Sequence, residues 1–254
     1  MTIRKHKPRI LFFDVETCPV LAWVWKTGYK MSISHDQIKK GQKFDIICIC
    51  WKWDGESKVH YLDWGINKQD SSDMIEEFTK VVEQADIVVA HNGDKFDIKQ
   101  INTQRLLKGQ DPIAWPTSED TLKQFRKYFA FPSYKLDYLC KTLFRTGKGN
   151  MHFQDWIDIV ERHDQKALDK MINYCKKDVI LLARLFNRAK KFFAPKVNVG
   201  LISGTGKLSC PRCGSLDSVS KGIRRTLTRQ YQTRKCLACK HVYKGDLVSR
   251  EDGK

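Results

Sequence analysis

The sequence predicts an α/β fold, a mixed sheet flanked by helices, followed by a small C-terminal module built around four cysteines. Three observations predict it. Apolar runs of strand length at residues 10–13, 46–51 and 87–90 alternate with stretches of helical period. An Asp-Gly pair, Asp54-Gly55, joins two of the strand-like segments as a hairpin would, so part of the sheet is antiparallel. Two Cys-x-x-Cys pairs, Cys210/Cys213 and Cys236/Cys239, stand 22 residues apart behind a Gly- and Ser-bearing stretch.

Residues 9–16 make the first strand, because Ile10-Leu11-Phe12-Phe13 has the length and greasiness of a strand buried on both faces. The run Ile46-Ile47-Cys48-Ile49-Cys50-Trp51 leads through the Asp-Gly turn into Lys58-Val59-His60-Tyr61-Leu62, its antiparallel partner. Met74, Ile75, Phe78, Val81 and Val82 recur at helical spacing within residues 71–84. Ile87-Val88-Val89-Ala90 is a short buried strand ended by Asn92-Gly93, and a helix begins near Lys95. From about residue 119 the pattern is mostly helical. Leu136, Leu139, Cys140 and Leu143 form one apolar face, and a long helix runs from roughly Lys166 to Phe193, where Pro195 stops it. Between them, Thr146-Gly147-Lys148-Gly149-Asn150 reads as a loop. The domain plan is an α/β domain over 1–195, a linker over 196–206 and the cysteine module over 207–254.

The chain has 254 residues, 41% of them hydrophobic, enough for one sizeable core plus something small. Lys and Arg number 46 against 29 acidic residues, a formal +17, which suits a polyanion such as nucleic acid or an anionic membrane surface. No run approaches the ~18 apolar residues of a membrane span, and the N-terminus has no apolar signal core. The expectation is a cytoplasmic protein with no membrane partner. Nine cysteines is an odd number in a long chain, which argues against a disulfide scaffold; Cys18, Cys48, Cys50, Cys140 and Cys175 are expected as reduced core residues.

Asp14 and Glu16 lie two apart at the end of the greasy first strand, so their side chains project to the same side. Two acids there are costly unless a positive charge lies between them, and a divalent metal ion is the simplest one. The long helix carries a second anomaly. Its buried stripe is Leu168, Met171, Cys175, Val179, Leu182 and Phe186, and at 100° per residue Asp178 falls inside it. Tyr174 lies one turn earlier at the stripe's edge, on the same side. An arginine partner or a capping role is the plain alternative for such an acid. Asp97, at the end of His91-Asn92-Gly93-Asp94-Lys95-Phe96, occupies the first turn of a helix, where the macrodipole alone favours a carboxylate. His91 is expected to be packed or hydrogen-bonded rather than a ligand. Four carboxylates together offer the hard oxygens that suit Mg2+ or Mn2+.

In these motifs the chain resembles the DEDD superfamily of 3′–5′ exonucleases, which share the ribonuclease-H-like fold. The three motifs correspond to Phe13-Asp14-Val15-Glu16-Thr17, to Asn92 with Phe96-Asp97, and to Tyr174-Cys175-Lys176-Lys177-Asp178. They stand in the family order over residues 9 to about 193. One branch of the family has a histidine five residues before the last aspartate, where this chain has Asn173. The other has a tyrosine four before it, matched by Tyr174, so the resemblance is to the tyrosine type. It implies a two-metal site in which Asp14 bridges both ions and Glu16 and Asp178 complete the one that activates water. Asp97 would hold the second largely through waters, and Tyr174 would orient the attacking water. It also implies Asn92, Phe96 and Thr17 as supports or substrate contacts, although Phe96 suits plain core equally well. Trp23, Trp25 and Tyr29 follow the first motif and either stack bases or simply pack. Lys148 either contacts phosphate or is a solvated loop lysine.

Cys210-Pro211-Arg212-Cys213-Gly214 and Cys236-Leu237-Ala238-Cys239 form two thiolate knuckles suited to one tetrahedral structural Zn2+. Iron in the same tetrahedron is the runner-up and needs a redox role that nothing else suggests. The segment has few large apolar groups, so the metal would serve as its core, and His241 is expected at its surface. From Gly204 to the end, 12 Lys or Arg face 4 acidic residues, supplying +8 of the +17. Arg224, Arg225 and Arg229, with Arg234 and Lys235, interleave with Thr226, Thr228, Tyr231 and Tyr243, a mixture that offers phosphate contacts and stacking. The module resembles zinc ribbons appended to nucleic-acid enzymes; a structural or protein-binding ribbon is the alternative.

The combined expectation is a ribonuclease-H-like, two-metal 3′–5′ exonuclease with a zinc ribbon that helps hold nucleic acid. DNA is favoured over RNA, and a single strand or frayed 3′ end is the expected substrate. No polymerase-sized region accompanies it, which points to a stand-alone nuclease of a bacterial or phage-infected cell. The alternatives are a structure-selective endonuclease or ribonuclease on the same scaffold, and a non-catalytic, nucleic-acid-binding replication accessory protein. The residues do not identify a protein partner.

Overall fold

In a computed structural model the protein is described over residues 7–28, 31–41, 44–147, 149–206 and 208–247. Tyr29 and Lys148, named above as candidate base and phosphate contacts, lie outside these residues, as do Lys207 and the last seven residues of the expected ribbon domain. The chain divides into two compact units, Ile10–Phe186 and Met1–Arg9 with Asn187–Lys254.

The first unit is built on a five-stranded sheet of order β3-β2-β1-β4-β5. Its strands are β1 (Ile10–Thr17), β2 (Ile46–Trp53), β3 (His60–Asp63), β4 (Ile87–Ala90) and β5 (Thr117–Asp120). β1, β2 and β3 pair antiparallel, while β4 and β5 run parallel to β1, so the sheet is mixed as expected. Helices α1 (Ser72–Val82) and α2 (Asp97–Leu107) follow β3 and β4; α3 (Thr121–Tyr128), α4 (Leu136–Phe144), α5 (Phe153–Arg162) and α6 (Gln165–Ala189) follow β5.

The alternation along β1 divides its residues between two layers. Leu11, Phe13 and Val15 join Ile49, Trp51, Val88 and Ala90 in a core with Met74, Ile75, Phe78 and Val82 of α1 and Ile101 of α2. Phe13 packs on Phe78 with ring centroids 5.6 Å apart. Phe12 points the other way and meets Phe186 of α6 edge-on at 5.6 Å. Burying each such side chain is worth about 1.5–3 kcal/mol, so the two layers hold β1 from both sides. Asp14 and Glu16 fall on the α6 face because they share the parity of Phe12.

The chain is mostly helical after β5, as expected, but β5 itself has no counterpart in the sequence expectation. Thr117-Ser118-Glu119-Asp120 carries no apolar side chain, yet it pairs in register with β4, all four of whose residues are buried. Its two buried acids are satisfied locally. Glu119 accepts from the Gln124 side chain at 2.6 Å, and Asp120 caps α3 by accepting from the backbone N–H groups of Leu122 and Lys123. The last helix ends at Ala189 rather than near Phe193.

In the second unit, residues Val199–Ile202, inside the stretch read as a linker, form the short helix α7, capped by the Asn198 side chain. Gly200 stands against Ser209 so closely that a Cβ would collide with its hydroxyl. β6 (Ser218–Arg225), β7 (Gln230–Cys236) and β8 (Val242–Leu247) make an antiparallel three-stranded sheet in sequence order. No described helix is long and apolar enough to cross a membrane.

Candidate active site and cysteine centre

The acidic site forms where β1 outruns β4. The parallel β1–β4 pairing covers only Ile10 to Phe12, so the strand beyond it loses its neighbour on that side. The Val15 N–H there donates instead to Asp97 Oδ1, at 3.1 Å, from the first turn of α2. A charged acceptor makes this bond worth about 1.5–3 kcal/mol, and it ties the β4–α2 turn to the strand between Asp14 and Glu16. The turn itself is tight. Asn92 has φ 72° and donates its N–H to Asp120 Oδ1 at 3.0 Å, while its carbonyl accepts from Lys95 and Phe96. Gly93 packs on Ala90, whose Cβ a side chain at residue 93 would strike, and its Cα carries no bulk towards Asp97.

Across the sheet face, α6 brings Asp178 to the pair on β1. Ligand oxygens of Asp14, Glu16 and Asp178 lie within 4.8 Å of one another. Asp178 is 1% exposed, Asp14 and Glu16 are half-buried, and Asp97 is 1% exposed. Burial pushes the Asp14 carboxyl well above the usual carboxylate range, and Cys175, Asp97, Glu16 and Asp178 add to the effect. Three carboxylates so close repel one another unless protons or a cation intervene. The donor set is hard and anionic, so it fits Mg2+ or Mn2+ and not a soft metal.

The sequence-derived residues thus separate into groups. Asp14, Glu16 and Asp178 come together, and Asp97 sits beside them anchored on the β1 backbone. Tyr174 is half-buried one turn before Asp178, and a Cβ at Gly149 would lie 3.4 Å from its ring. Asn92 and Phe96 belong to the β4–α2 turn, with Phe96 39% exposed, which removes the plain-core alternative for it. Thr17 ends β1 at an irregularity in its pairing with β2. His91 lies between the Thr121 hydroxyl at 2.8 Å and the Tyr134 carbonyl at 2.9 Å, the packed role expected of it. Trp23 and Trp25 are 75% and 101% exposed, so packing does not explain them.

A second cluster beneath the acids escaped the sequence reading. The β1–β2 register sets Asp14 opposite Cys50 and Glu16 opposite Cys48, and α6 lays Cys175 on both. The three thiol sulfurs lie within 4.8 Å of one another and are fully buried. Cys175 Sγ is 3.5 Å from the Asp14 carbonyl and 3.7 Å from Asp14 Oδ2. Burial pushes the Cys50 thiol up, but hydrogen bonds from Cys175 and Cys48 outweigh it and bring it to about 6. The only sequence signal was the Cys-x-Cys alternation on β2, which places two thiols on one face.

The C-terminal cysteines converge as their spacing requires. Sulfurs of Cys210 and Cys239 are 3.6 Å apart, as are those of Cys213 and Cys236. The two knuckles repeat one another. Gly214 N–H donates to the Cys210 carbonyl and Lys240 N–H to that of Cys236, and both residues adopt positive φ, 73° and 63°. Zinc–sulfur bonds of about 2.3 Å fit sulfurs at this separation. Burial pushes the Cys210 and Cys213 thiols up. It acts the same way on Cys236, where backbone N–H groups of Cys239 and Ala238 and the Cys213 thiol outweigh it and bring the thiol down to about 7. His241, expected at the surface, is half-buried and stacks on Tyr243. Arg224, Arg225 and Arg229 are exposed around the β6–β7 hairpin, whose turn is closed by Thr226 and Arg229. Arg234 is instead engaged by Ser218 at 2.9 Å.

Among solved structures, the family B DNA polymerase from the hyperthermophilic archaeon Pyrobaculum calidifontis resembles this chain, with a TM-score of 0.54 and 13% identity. The similarity covers 81% of this chain and 26% of that one, so the chain spans about a quarter of the polymerase's length and shares its fold there. No curated protein sequence matches the chain. The RNase H superfamily profile matches residues 32–190, which hold Asp97, Tyr174 and Asp178 and follow the Asp14–Glu16 strand. With more than half of its length matched, and with the mixed sheet and acidic site described above, the chain belongs to the RNase H superfamily.

Proposed function

We propose that this protein is a metal-dependent 3′–5′ exonuclease of the tyrosine-type DEDD kind, acting on DNA in preference to RNA in the cytoplasm of a bacterial or phage-infected cell. The observation that carries this reading is the meeting of Asp14 and Glu16 with Asp178, oxygens within 4.8 Å, across more than 160 residues of sequence. Two Mg2+ or Mn2+ ions held there would neutralise charge at phosphorus and lower the pKa of a bound water. The chain's own residues do the positioning. Asp14, Glu16 and Asp178 would hold the ions, and Asp97, anchored by the Val15 N–H, would add a fourth carboxylate beside them. Tyr174 would orient the attacking water through its phenol, since an ordinary phenol is too weak a base at neutral pH. Asn92, Phe96 and Thr17 would hold the terminal nucleotide, and Trp23 and Trp25 would stack bases.

The four C-terminal cysteines would hold a structural Zn2+, and Arg224, Arg225 and Arg229 would contact phosphate. Digestion of single strands labelled at either end, of duplexes and of a closed circle, as DNA and as RNA with Mg2+ or Mn2+, tests the reading. A 5′ label should give a shortening ladder, a 3′ label should appear at once as a mononucleotide, and the circle should survive. Cleavage of the circle excludes a strict exonuclease in favour of an endonuclease. Binding without digestion of any substrate favours the accessory protein.

A further inference from the structure

We propose that Cys48, Cys50 and Cys175 form a binding site for a thiophilic divalent cation, Zn2+ or Cd2+, with Asp14 Oδ2 as its fourth ligand. The three sulfurs are within 4.8 Å of one another, and a tetrahedron with bonds of about 2.3 Å needs sulfurs roughly 3.8 Å apart. Rotation of the thiol side chains would bring the sulfurs from their present spacing to that of one ion. Asp14 Oδ2 lies 3.7 Å from Cys175 Sγ, near enough for its carboxylate to turn onto an ion held by the three sulfurs.

The chemistry separates this cluster from its acidic neighbour. Three soft sulfurs select Zn2+ or Cd2+, while the oxygens of Glu16 and Asp178 select hard ions. Cys48, Cys50 and Cys175 are each 0% exposed, whereas Asp14 and Glu16 are half-buried. The carboxylates thus form the approach, attracting a cation from solvent to the edge of the thiol pocket. Each sulfur that becomes a ligand releases its proton to solvent, if it still carries one, so occupancy rises with pH. No electron transfer and no other reactant is involved.

The consequence rests on the exonuclease reading above. Asp14 is the acid that reading uses to bridge two hard ions, and the thiol site takes one of its oxygens. A soft cation bound to the thiols would then inhibit hydrolysis in Mg2+ by withdrawing Asp14 from the catalytic set.

Cadmium titration of the full-length reduced protein tests the site directly, because sulfur-to-cadmium charge-transfer absorption reports thiolate ligands and ignores carboxylates. The wild type should take up two equivalents with that absorption, one at the C-terminal quartet and one at the thiol trio. A Cys48→Ala/Cys50→Ala variant should take up one, and a Cys210→Ser/Cys236→Ser variant should keep the one at the trio. Thermal melts of the metal-free proteins establish that the unit Ile10–Phe186, which holds the trio, is folded in each variant. Saturation of the wild type at one equivalent overturns the site, as does a second equivalent that persists without Cys48 and Cys50. In a second arm, the cadmium concentration that halves digestion in Mg2+ should rise at least tenfold in Cys48→Ala/Cys50→Ala relative to wild type, each normalised to its own uninhibited rate. Equal sensitivity overturns the inhibitory role. Absence of any digestion by the wild type strikes the exonuclease reading and leaves the spectroscopic result standing.

Discussion

The five-stranded and three-stranded sheets of this protein bury their interiors by different means. In the larger sheet, residues 46–50 of β2 are all 0% exposed, and β1 is clasped between aromatic and aliphatic layers on both faces. In the smaller, every residue of β6 after Ser218 is exposed, and the buried cluster consists of Cys210, Cys236 and Tyr243 with Cys239 packed on it. One sheet has an apolar core large enough to fold around; the other has three strands and four sulfurs. What excludes water in the first allows it to shelter unfavourable groups, the acids and the thiol trio. The second has no such reserve, and its four converging sulfurs are where a metal could supply one.

Metal removal should break this symmetry most visibly. A structural zinc site contributes on the order of 10 kcal/mol, more than a hairpin sheet of exposed residues can supply by itself. A thiol-competing chelator should abolish amide protection over residues 218–247 and leave that over β1, β2 and β4 unchanged, as read by hydrogen exchange. Protection that survives in the small sheet would give it a core beyond its metal.

The next largest effect concerns the acids. Asp178→Asn should lower digestion on the order of 10³-fold, the scale of losing one preorganised electrostatic group. It also removes one of three repelling carboxylates from a buried cluster, so the metal-free variant should be more stable by about 1 kcal/mol. Loss of activity accompanied by a lower denaturation midpoint would make Asp178 a structural acid instead.

The large domain has a polar keystone, and its loss should cost somewhat less. Lys108 bridges Asp45 at 3.1 Å, Asp70 at 3.0 Å and the Ser71 hydroxyl at 2.7 Å, with Asp45 only 8% exposed. Lys108→Met removes the cation from Asp45 but leaves the donors of Ile46 N–H and the Ser71 N–H and hydroxyl, so it should cost about 2 kcal/mol in urea unfolding. A double variant with Asp45→Asn should recover part of that loss. No recovery would mean that the lysine acts through packing alone.

The smallest change in stability is expected at the β6–β7 hairpin. Arg224, Arg225 and Arg229 are exposed, so replacing all three with alanine should alter stability by about 0.5 kcal/mol or less. The same variant should reduce the salt slope of nucleic-acid binding by about 3, one for each lost phosphate contact. An unchanged slope would remove the hairpin from the binding surface.

Much of this was legible in sequence because it depends on short-range regularities. Strand alternation puts Asp14 and Glu16 on one side, helical period puts Asp178 into the buried stripe of α6, and Cys-x-x-Cys spacing makes each knuckle. β5 was not legible, since Thr117-Ser118-Glu119-Asp120 has neither apolar residues nor alternation, and only the edge of β4 recruits it. The Cys48–Cys50–Cys175 cluster was equally hidden, because five cysteines in apolar segments have no periodicity that separates a ligand set from ordinary core.

The sequence by itself determined which residues face inward on each element, where the mixed sheet turns back, and that four C-terminal thiols form two matched knuckles. These follow from geometry repeating over two to four residues. Only the tertiary structure decided that β1 outruns β4, so that Val15 N–H takes Asp97, and that α6 crosses the same face to bring Asp178 and Cys175 to Asp14. Those outcomes depend on the register of β1 against β2 and on side-chain contacts such as Cys175 to Asp14, 161 residues apart, which have no local signature.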